Sequence, residues 1–209
     1  MEGVYTLDAG SDRGLRFEEC LFIAEERTMV DIIPNVSMDK RQIFSIEIGP
    51  FTPHQRCKVP LWVARYLDSK SLCRLVPPKW LTEEGLKRLV LEEDKIGLSR
   101  FSEIDYCYVQ IAHIFFQLKN DPFNGKARKV KKLFQDLIGR RQSKLKGNIK
   151  QLILPKATDV TNMGLLELTY GSSECFHAIN DLQNLWHNSG VDGSQIHSQV
   201  ASQQHGKDV

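Results

Sequence analysis

The sequence lacks the glycine loops by which many proteins hold nucleotide phosphates. Neither GxGxxG nor GxxxxGK occurs in its 209 residues, so we expect no ATP or dinucleotide site of either kind. HExxH and CxxC zinc motifs are also absent. His54, Cys57 and Cys73 provide three potential ligands, fewer than the four that structural zinc usually takes. We therefore predict no cofactor, no metal and no catalytic residue.

Disulfide patterns and long apolar runs are missing as well. The cysteines are odd in number and none are closely paired, which favours reduced thiols in a cytosolic or nuclear protein. No window approaches the roughly 18 apolar residues needed to cross a bilayer, and the first residues contain no signal-peptide core. We expect a protein without a membrane partner. The cysteines are Cys20, Cys57, Cys73, Cys107 and Cys175.

A thiol enzyme is the weakest of the functional hypotheses. Cys175, His177 and Asp181 are close in sequence, which is compatible with an activated nucleophile. Residues two apart on a helix point in different directions, so Cys175 and His177 would not meet. Ordinary helix surface is the favoured interpretation of these residues.

Positive charge is concentrated in one segment, although 28 basic residues nearly balance 26 acidic ones. Residues 126–150 hold ten Lys or Arg and one acid, Asp136. A solvated helix face, an acidic protein partner and DNA phosphates remain alternatives for this segment. No aromatic residues interleave with the cations, which argues against base stacking on single strands. Five of the ten lie opposite the apolar stripe at 100° per residue: Arg128, Lys129, Lys132, Lys146 and Lys150.

The N-terminal third predicts a helix followed by strands. FEECLFIAEER has helical apolar spacing, whereas MVDIIP and the alternation from Phe44 to Ile48 are typical of strands. KVPLW fits either a short strand or a helix whose first turn contains Pro60. LCRLV fits a strand or an extended connector.

Helical patterns dominate the remainder. Thr82 followed by Glu83 and Glu84 predicts a capped helix start. A second helix is expected to open at Ser102 and Glu103 and to close near Asn120, and a third to run from about Lys126 to Leu152. After Pro155, NMGLLELTYG and SSECFHAINDLQNLWHNS predict a helical pair.

Together these patterns predict an α+β fold that is mainly α. A small β-rich N-terminal domain precedes a helical-bundle domain, and the two meet near Pro60. We assign residues 1–16 to a flexible arm, 17–59 to the helix-plus-strands domain, 60–187 to the helical domain and 188–209 to a disordered tail.

Several segments resemble one known family. IIPNVSMDK, IGPF, VPLWVARYL, CRLVPPKWL and EEGLKRLVLEE occur in order, and NMGLLELTYGSSECFHAI follows them. They are similar to the second-subunit family of the eukaryotic GINS complex, a four-chain replication assembly. The resemblance runs from about Phe17 to Leu185, and the IIPN, PLW and CRLxPPxWL elements are specific in combination.

The resemblance implies a non-catalytic structural subunit in the nucleus. Its partners would be the other three GINS subunits and, in the CMG replicative helicase, the Mcm ATPase ring and a recombinase-like factor. An indirect or weak DNA contact is left open. The alternative is a stand-alone nucleic-acid-binding protein that uses the basic helix.

Apolar residues on several faces of neighbouring helices predict that part of the apolar surface is buried against other subunits. The residues expected there lie on the central helix and in the last helical pair: Phe115, Phe116, Leu165, Leu168, Phe176 and Ile179.

Overall fold

The computed structural model describes residues 15–43, 46–98, 100–152 and 161–171, with the side chains of 149–152 left out. Most of the predicted arm, the predicted tail and the segment SSECFHAINDLQNLWHNS lie outside these ranges. Within them, the strands all precede Pro77 and the longest helices follow it. The chain is α+β and mainly α, as the sequence predicts.

A three-stranded antiparallel sheet organises the N-terminal part. Helix α1 (Phe17–Arg27) leads into β1 (Met29–Pro34), which lies between β4 (Cys57–Pro60) and β5 (Cys73–Val76). Alternate residues of β1 are buried, as expected for a strand with one covered face. Helices α1 and α2 (Leu61–Ser69) lie against this sheet.

The strand predicted from Phe44 to Ile48 is confirmed over Ile46–Ile48, and Phe44 and Ser45 lie outside the described residues. Two short strands, β2 (Arg41–Ile43) and β3 (Ile46–Ile48), pair antiparallel, with Ile43 opposite Ile46. The chain therefore reverses direction within the segment, and Ile46 is exposed whereas Ile48 is buried. Alternation of apolar and polar residues does not show where a chain reverses direction, so the sequence pattern missed the pairing of Ile43 with Ile46.

Both ambiguous segments around Pro60 are resolved by hydrogen bonding. Pro60 ends β4, which confirms the strand, and it is the N-cap of α2, whose first turn begins one residue later at Leu61. LCRLV contains strand β5, whose Leu75 lies opposite Ile32 of β1. The sheet thus includes a strand from beyond Pro60, and the division into domains at that residue stays a prediction.

After Pro77 the described residues contain three α-helices and one further helical segment. A 3-10 turn (Lys79–Leu81) precedes α3 (Glu83–Lys95), which is followed by α4 (Tyr108–Phe116) and α5 (Ala127–Leu152). The backbone is also helical over 165–171. The helix predicted from about Lys126 to Leu152 is confirmed by α5, within one residue at its start. No helix in the described ranges combines the length and apolar character that crossing a membrane requires.

The helix predicted to open at Ser102 begins six residues later, at Tyr108. Ser102 is buried, and its N–H and hydroxyl both donate to the carboxylate of Glu93, at 3.0 and 2.5 Å. Asp105 accepts from the N–H of Cys107 at 2.9 Å. These contacts satisfy polar groups of the segment outside a helix, and the tertiary bond to Glu93 overrides the local helix-start pattern.

Helices α3 and α5 pack side by side in the same direction. Lys129, near the start of α5, pairs with Glu83 at the start of α3, and Lys144 pairs with Glu93 near the end of α3. Leu86 and Leu89 of α3 and Phe134 and Leu137 of α5 are buried in the main core.

Gly85 and Gly139 both lie inside helices, but the space available around the two residues differs. The N–H of Gly85 donates to the hydroxyl of Thr82 at 3.1 Å, which confirms Thr82 as the cap of α3. A Cβ at Gly85 would lie 2.2 Å from the carbonyl oxygen of Lys79. A Cβ at Gly139 would meet nothing within 4 Å.

We expect Gly85→Ala and Gly139→Ala to change stability in opposite directions. Overpacking against backbone at Gly85 is expected to cost about 1–3 kcal/mol. At Gly139 the better helix propensity of alanine is expected to stabilise by about 0.5–1 kcal/mol. Denaturant unfolding of the full-length chain measures both, and changes of the same sign would contradict the packing around Gly85.

Candidate functional site: the charged faces of helix α5

The ten cations of residues 126–150 fall into distinct groups. Two are buried, Arg141 and Lys144. Three pair with carboxylates of α3: Lys126 and Lys129 with Glu83, and Arg140 with Asp94. The side chain of Lys150 lies outside the described residues. The remaining four are exposed, and no ion pair involves them within the described part of the chain: Arg128, Lys131, Lys132 and Lys146.

Arg141 is the largest fully buried side chain in the described ranges. Its Nε and Nη2 donate to the two carboxylate oxygens of Glu167 at 2.8 and 2.9 Å, and its Nη1 donates to Glu93 at 3.1 Å. Its guanidinium also lies over the rings of Phe101 and Tyr108, 4.9 and 5.3 Å from their centroids. Bidentate pairing and aromatic faces together suit arginine rather than lysine.

The contacts of Arg141 reach beyond its two carboxylates. Nη2 donates to the backbone carbonyl of Asn162 at 2.7 Å, and Nη1 donates to that of Ser102 at 3.1 Å. Tyr108 donates its hydroxyl proton to Glu167 at 2.6 Å. One side chain of α5 therefore joins α3, the segment around Ser102, the start of α4 and the segment 161–171.

Glu93 remains ionised although it is fully buried. Burial acts to raise the pKa of Glu93, but the contacts of Lys144 and Ser102 and the charge of Arg141 outweigh it, so the pKa lies below its ordinary value. Lys144 Nζ lies 2.8 Å from Glu93 Oε1. For Arg141, burial acts to lower the pKa, whereas hydrogen bonds to Glu167 and neighbouring negative charge raise it above its ordinary value.

A second, more accessible cluster forms at the start of α3. Glu83 accepts from Lys87 at 2.8 Å, and Lys129 Nζ lies 2.6 Å from the same carboxylate. Hydrogen bonds from Lys129 and Lys87 lower the pKa of Glu83 to about 2. Lys129 was predicted on the outward basic face, and this contact places it between α5 and α3 instead.

The predicted interface residues lie mostly within the chain's own interior. Phe115 is 1% exposed and Leu165 is 6% exposed, both in the main core. Phe116 and Leu168 are half-buried against core clusters. Phe115 and Leu165 therefore offer almost no area to a partner in this conformation, whereas Phe116 and Leu168 offer some. Phe176 and Ile179 lie outside the described residues.

Other large apolar side chains are exposed that the sequence patterns did not predict at an interface. Leu98 is 75% exposed, Phe22 69% and Leu91 60%. Leu91, Ile96 and Leu98 surround the end of α3, where Gly97 has a φ of 88° and terminates the helix. Leu91 is one of three hydrophobic residues in sequence, Leu89 to Leu91, and periodicity alone places it away from Leu86 and Leu89.

The described cysteines are poorly suited to nucleophilic chemistry. Burial raises the pKa of Cys73 to about 12 and that of Cys107 to about 11. Burial also raises the pKa values of Cys20 and Cys57. All four thiols are therefore protonated near neutral pH, whereas the thiolate is the reactive form. Cys175 lies outside the described ranges, and within them no group of three or more metal-ligating side chains occurs.

Comparison with known proteins covers most of the chain. Residues 16–76 match the family model of the PSF2 N-terminal domain. Over 171 residues the chain is 29% identical to the probable DNA replication complex GINS protein PSF2 of Brugia malayi, covering 80% of this chain and 88% of that protein. The chain is similar to PSF2 proteins of the DNA replication complex GINS.

Relatives from distant organisms have the same description. The human DNA replication complex GINS protein PSF2 is 28% identical over 169 residues, which cover 80% of this chain and 90% of the human protein. The Schizosaccharomyces pombe protein of the same description is 27% identical, covering 72% of this chain and 80% of that protein. The names of these relatives support a role of this chain in DNA replication.

Arg140 and Arg141 are adjacent in this chain and provide a matched test of the buried ion pairs. Arg141→Met leaves Glu93 and Glu167 buried beside fewer donors, so we expect a loss of about 3–5 kcal/mol in the free energy of unfolding. Arg140→Met removes an exposed pair with Asp94 and is expected to cost about 0–1 kcal/mol. Denaturant unfolding of the full-length chain measures both. Equal losses would contradict the special position of Arg141.

Proposed function

We propose that the chain is a non-catalytic structural subunit of a heterotetrameric GINS complex. In this proposal it acts in the nucleus, in the initiation and elongation of chromosomal DNA replication. The complex joins the Mcm ATPase ring and a recombinase-like factor in the CMG helicase, and the ring supplies the ATP chemistry. The observation that carries the proposal is the match to PSF2 relatives over about four-fifths of the chain.

Exposed apolar side chains support a role in assembly. Phe22 on α1 and the group Leu91, Ile96 and Leu98 at the end of α3 are each at least 40% exposed. Single exposed apolar residues are ordinary, but three within eight residues of one helix end form a local surface that burial against another protein would stabilise. We propose this group as part of a subunit interface.

The predicted interface residues keep a place in the proposal. Phe116 and Leu168 are half-buried and have some area left to offer, and Phe176 and Ile179 remain proposed contacts. Phe115 and Leu165 are proposed to contribute indirectly, because these core residues hold in place the helices that carry the interface. Raised thiol pKa values support the non-catalytic part of the proposal.

Co-expression with the other three GINS subunits of the same organism tests the function. We expect the four chains to co-elute on gel filtration in equal amounts, as measured by mass spectrometry. A chain that elutes alone while the other three are present would overturn the proposal.

The same preparation tests the apolar surface with matched variants. Leu91→Gln with Leu98→Gln is expected to lower recovery of the complex about tenfold or more, because buried apolar anchors dominate interface energies. Lys58→Gln with Lys70→Gln changes two exposed polar side chains to the same residue and should leave recovery unchanged. Equal recovery of the complex from both variants would contradict an interface at the end of α3. It would not contradict the proposal that the chain is a GINS subunit.

A further inference from the structure

The outward row of α5 consists of Arg128, Lys131, Lys132 and Lys146. Each is exposed, and none has a carboxylate partner among the described residues. Lys126, Lys129 and Arg140 of the same helix do have such partners on α3. Arg128 and Lys132 are four residues apart, and like charges at this spacing destabilise a helix. The row is therefore the part of α5 where a negative partner would gain the most.

The length and width of the row limit what can cover it. Arg128 and Lys146 are 18 positions apart, about 27 Å at 1.5 Å per residue. Gln135, Gly139 and Ser143 lie between the cations and are exposed. A Cβ on Gly139 would meet nothing within 4 Å. The middle of the row is thus small, uncharged and open to a closely approaching polypeptide.

Nucleic acid fits this row poorly. A DNA duplex is wider than one α-helix and would extend over neighbouring surface, where Glu84 of α3 carries an exposed carboxylate. Its negative charge would repel phosphates. Single strands usually also need aromatic stacking platforms, and the row has none.

A single acidic polypeptide fits the row in both dimensions. An α-helix is about 10–12 Å wide with side chains, so one acidic segment can cover the row without lying over α3. We propose that the outward row of α5 binds an acidic segment of a partner protein. The proposal goes beyond the assembly of four subunits, because it concerns a surface separate from the apolar group at the end of α3.

Binding of a labelled glutamate-rich peptide to the full-length chain tests the proposal. A peptide of about 20 residues spans the row as a helix. We expect binding that weakens as salt is raised, because the contacts are exposed charges. Lys132→Glu with Lys146→Glu should reduce affinity about tenfold or more, and Lys132→Gln with Lys146→Gln should reduce it less.

The matched control is Lys79→Glu with Lys119→Glu, which changes net charge equally at exposed positions outside α5. Its affinity for the peptide should stay within about twofold of the unaltered chain, because screening limits the effect of distant exposed charges. Circular dichroism checks that the variants are folded. If Lys132→Glu with Lys146→Glu does not fold, the peptide affinity of Lys132→Gln with Lys146→Gln tests the proposal.

Three results would overturn the proposal. The first is unchanged peptide affinity in the α5 variants, and the second is an equal loss in the control, which would indicate a general charge effect. The third is tighter binding of a mixed-sequence DNA duplex than of the peptide at the same salt. Incorporation of the α5 variants into the four-chain complex is expected to be normal, so failure here is distinguishable from failure of the proposed function.

Discussion

A buried arginine holds the helical part of this molecule together. Arg141 donates to Glu93 on α3 and to Glu167 in the helical segment 165–171, and it also bonds the carbonyls of Ser102 and Asn162. Isolated buried charges are strongly unfavourable, and they persist only where every partner is in place. The positions of α3, α5 and the later segment are therefore mutually dependent, because displacing any one of them leaves a charge without its partner.

This dependence separates the two sides of α5. Inward and lateral cations are matched by carboxylates of the same chain, so their charge contributes to the fold. Outward cations have no such partner in the described residues and remain available at the surface. The apolar group of Leu91, Ile96 and Leu98 lies at the far end of α3, near the level of Lys144, because α3 and α5 run in the same direction. One rigid pair of helices thus presents two chemically different surfaces, one proposed for subunits and one for an acidic segment.

Much of this arrangement follows from sequence patterns, and the exceptions have physical causes. The spacing of Val130, Phe134 and Leu137 predicts α5, and Thr82 predicts the start of α3. The outward row was largely predictable because exposure follows directly from helical periodicity. Arg141 and Lys144 were counted among the ten cations of residues 126–150 without a prediction of burial, although both lie on the same side of α5 as the apolar residues. Their position on that side was the available signal.

The partners of those residues could not be predicted in the same way. Glu93 and Glu167 are far apart in sequence, and pairing between them and Arg141 depends on tertiary packing. The late start of α4 has the same origin, because Ser102 bonds Glu93 instead of opening a helix. Local propensity is a weak guide where a buried charge needs a distant donor.

The pH dependence of stability in the full-length chain and its Glu93→Gln variant tests the central role of the buried ion pairs most directly. An ordinary glutamate has a pKa of about 4.3, and the pKa of Glu93 is lowered in the folded chain. Its stabilisation is therefore full above the unfolded-state value and is lost as pH falls through the folded-state value. We predict that the unaltered chain is markedly more stable than the variant at pH 7 and that the difference shrinks below about pH 4. A difference that is absent at pH 7, or that stays constant down to pH 2, would contradict the account.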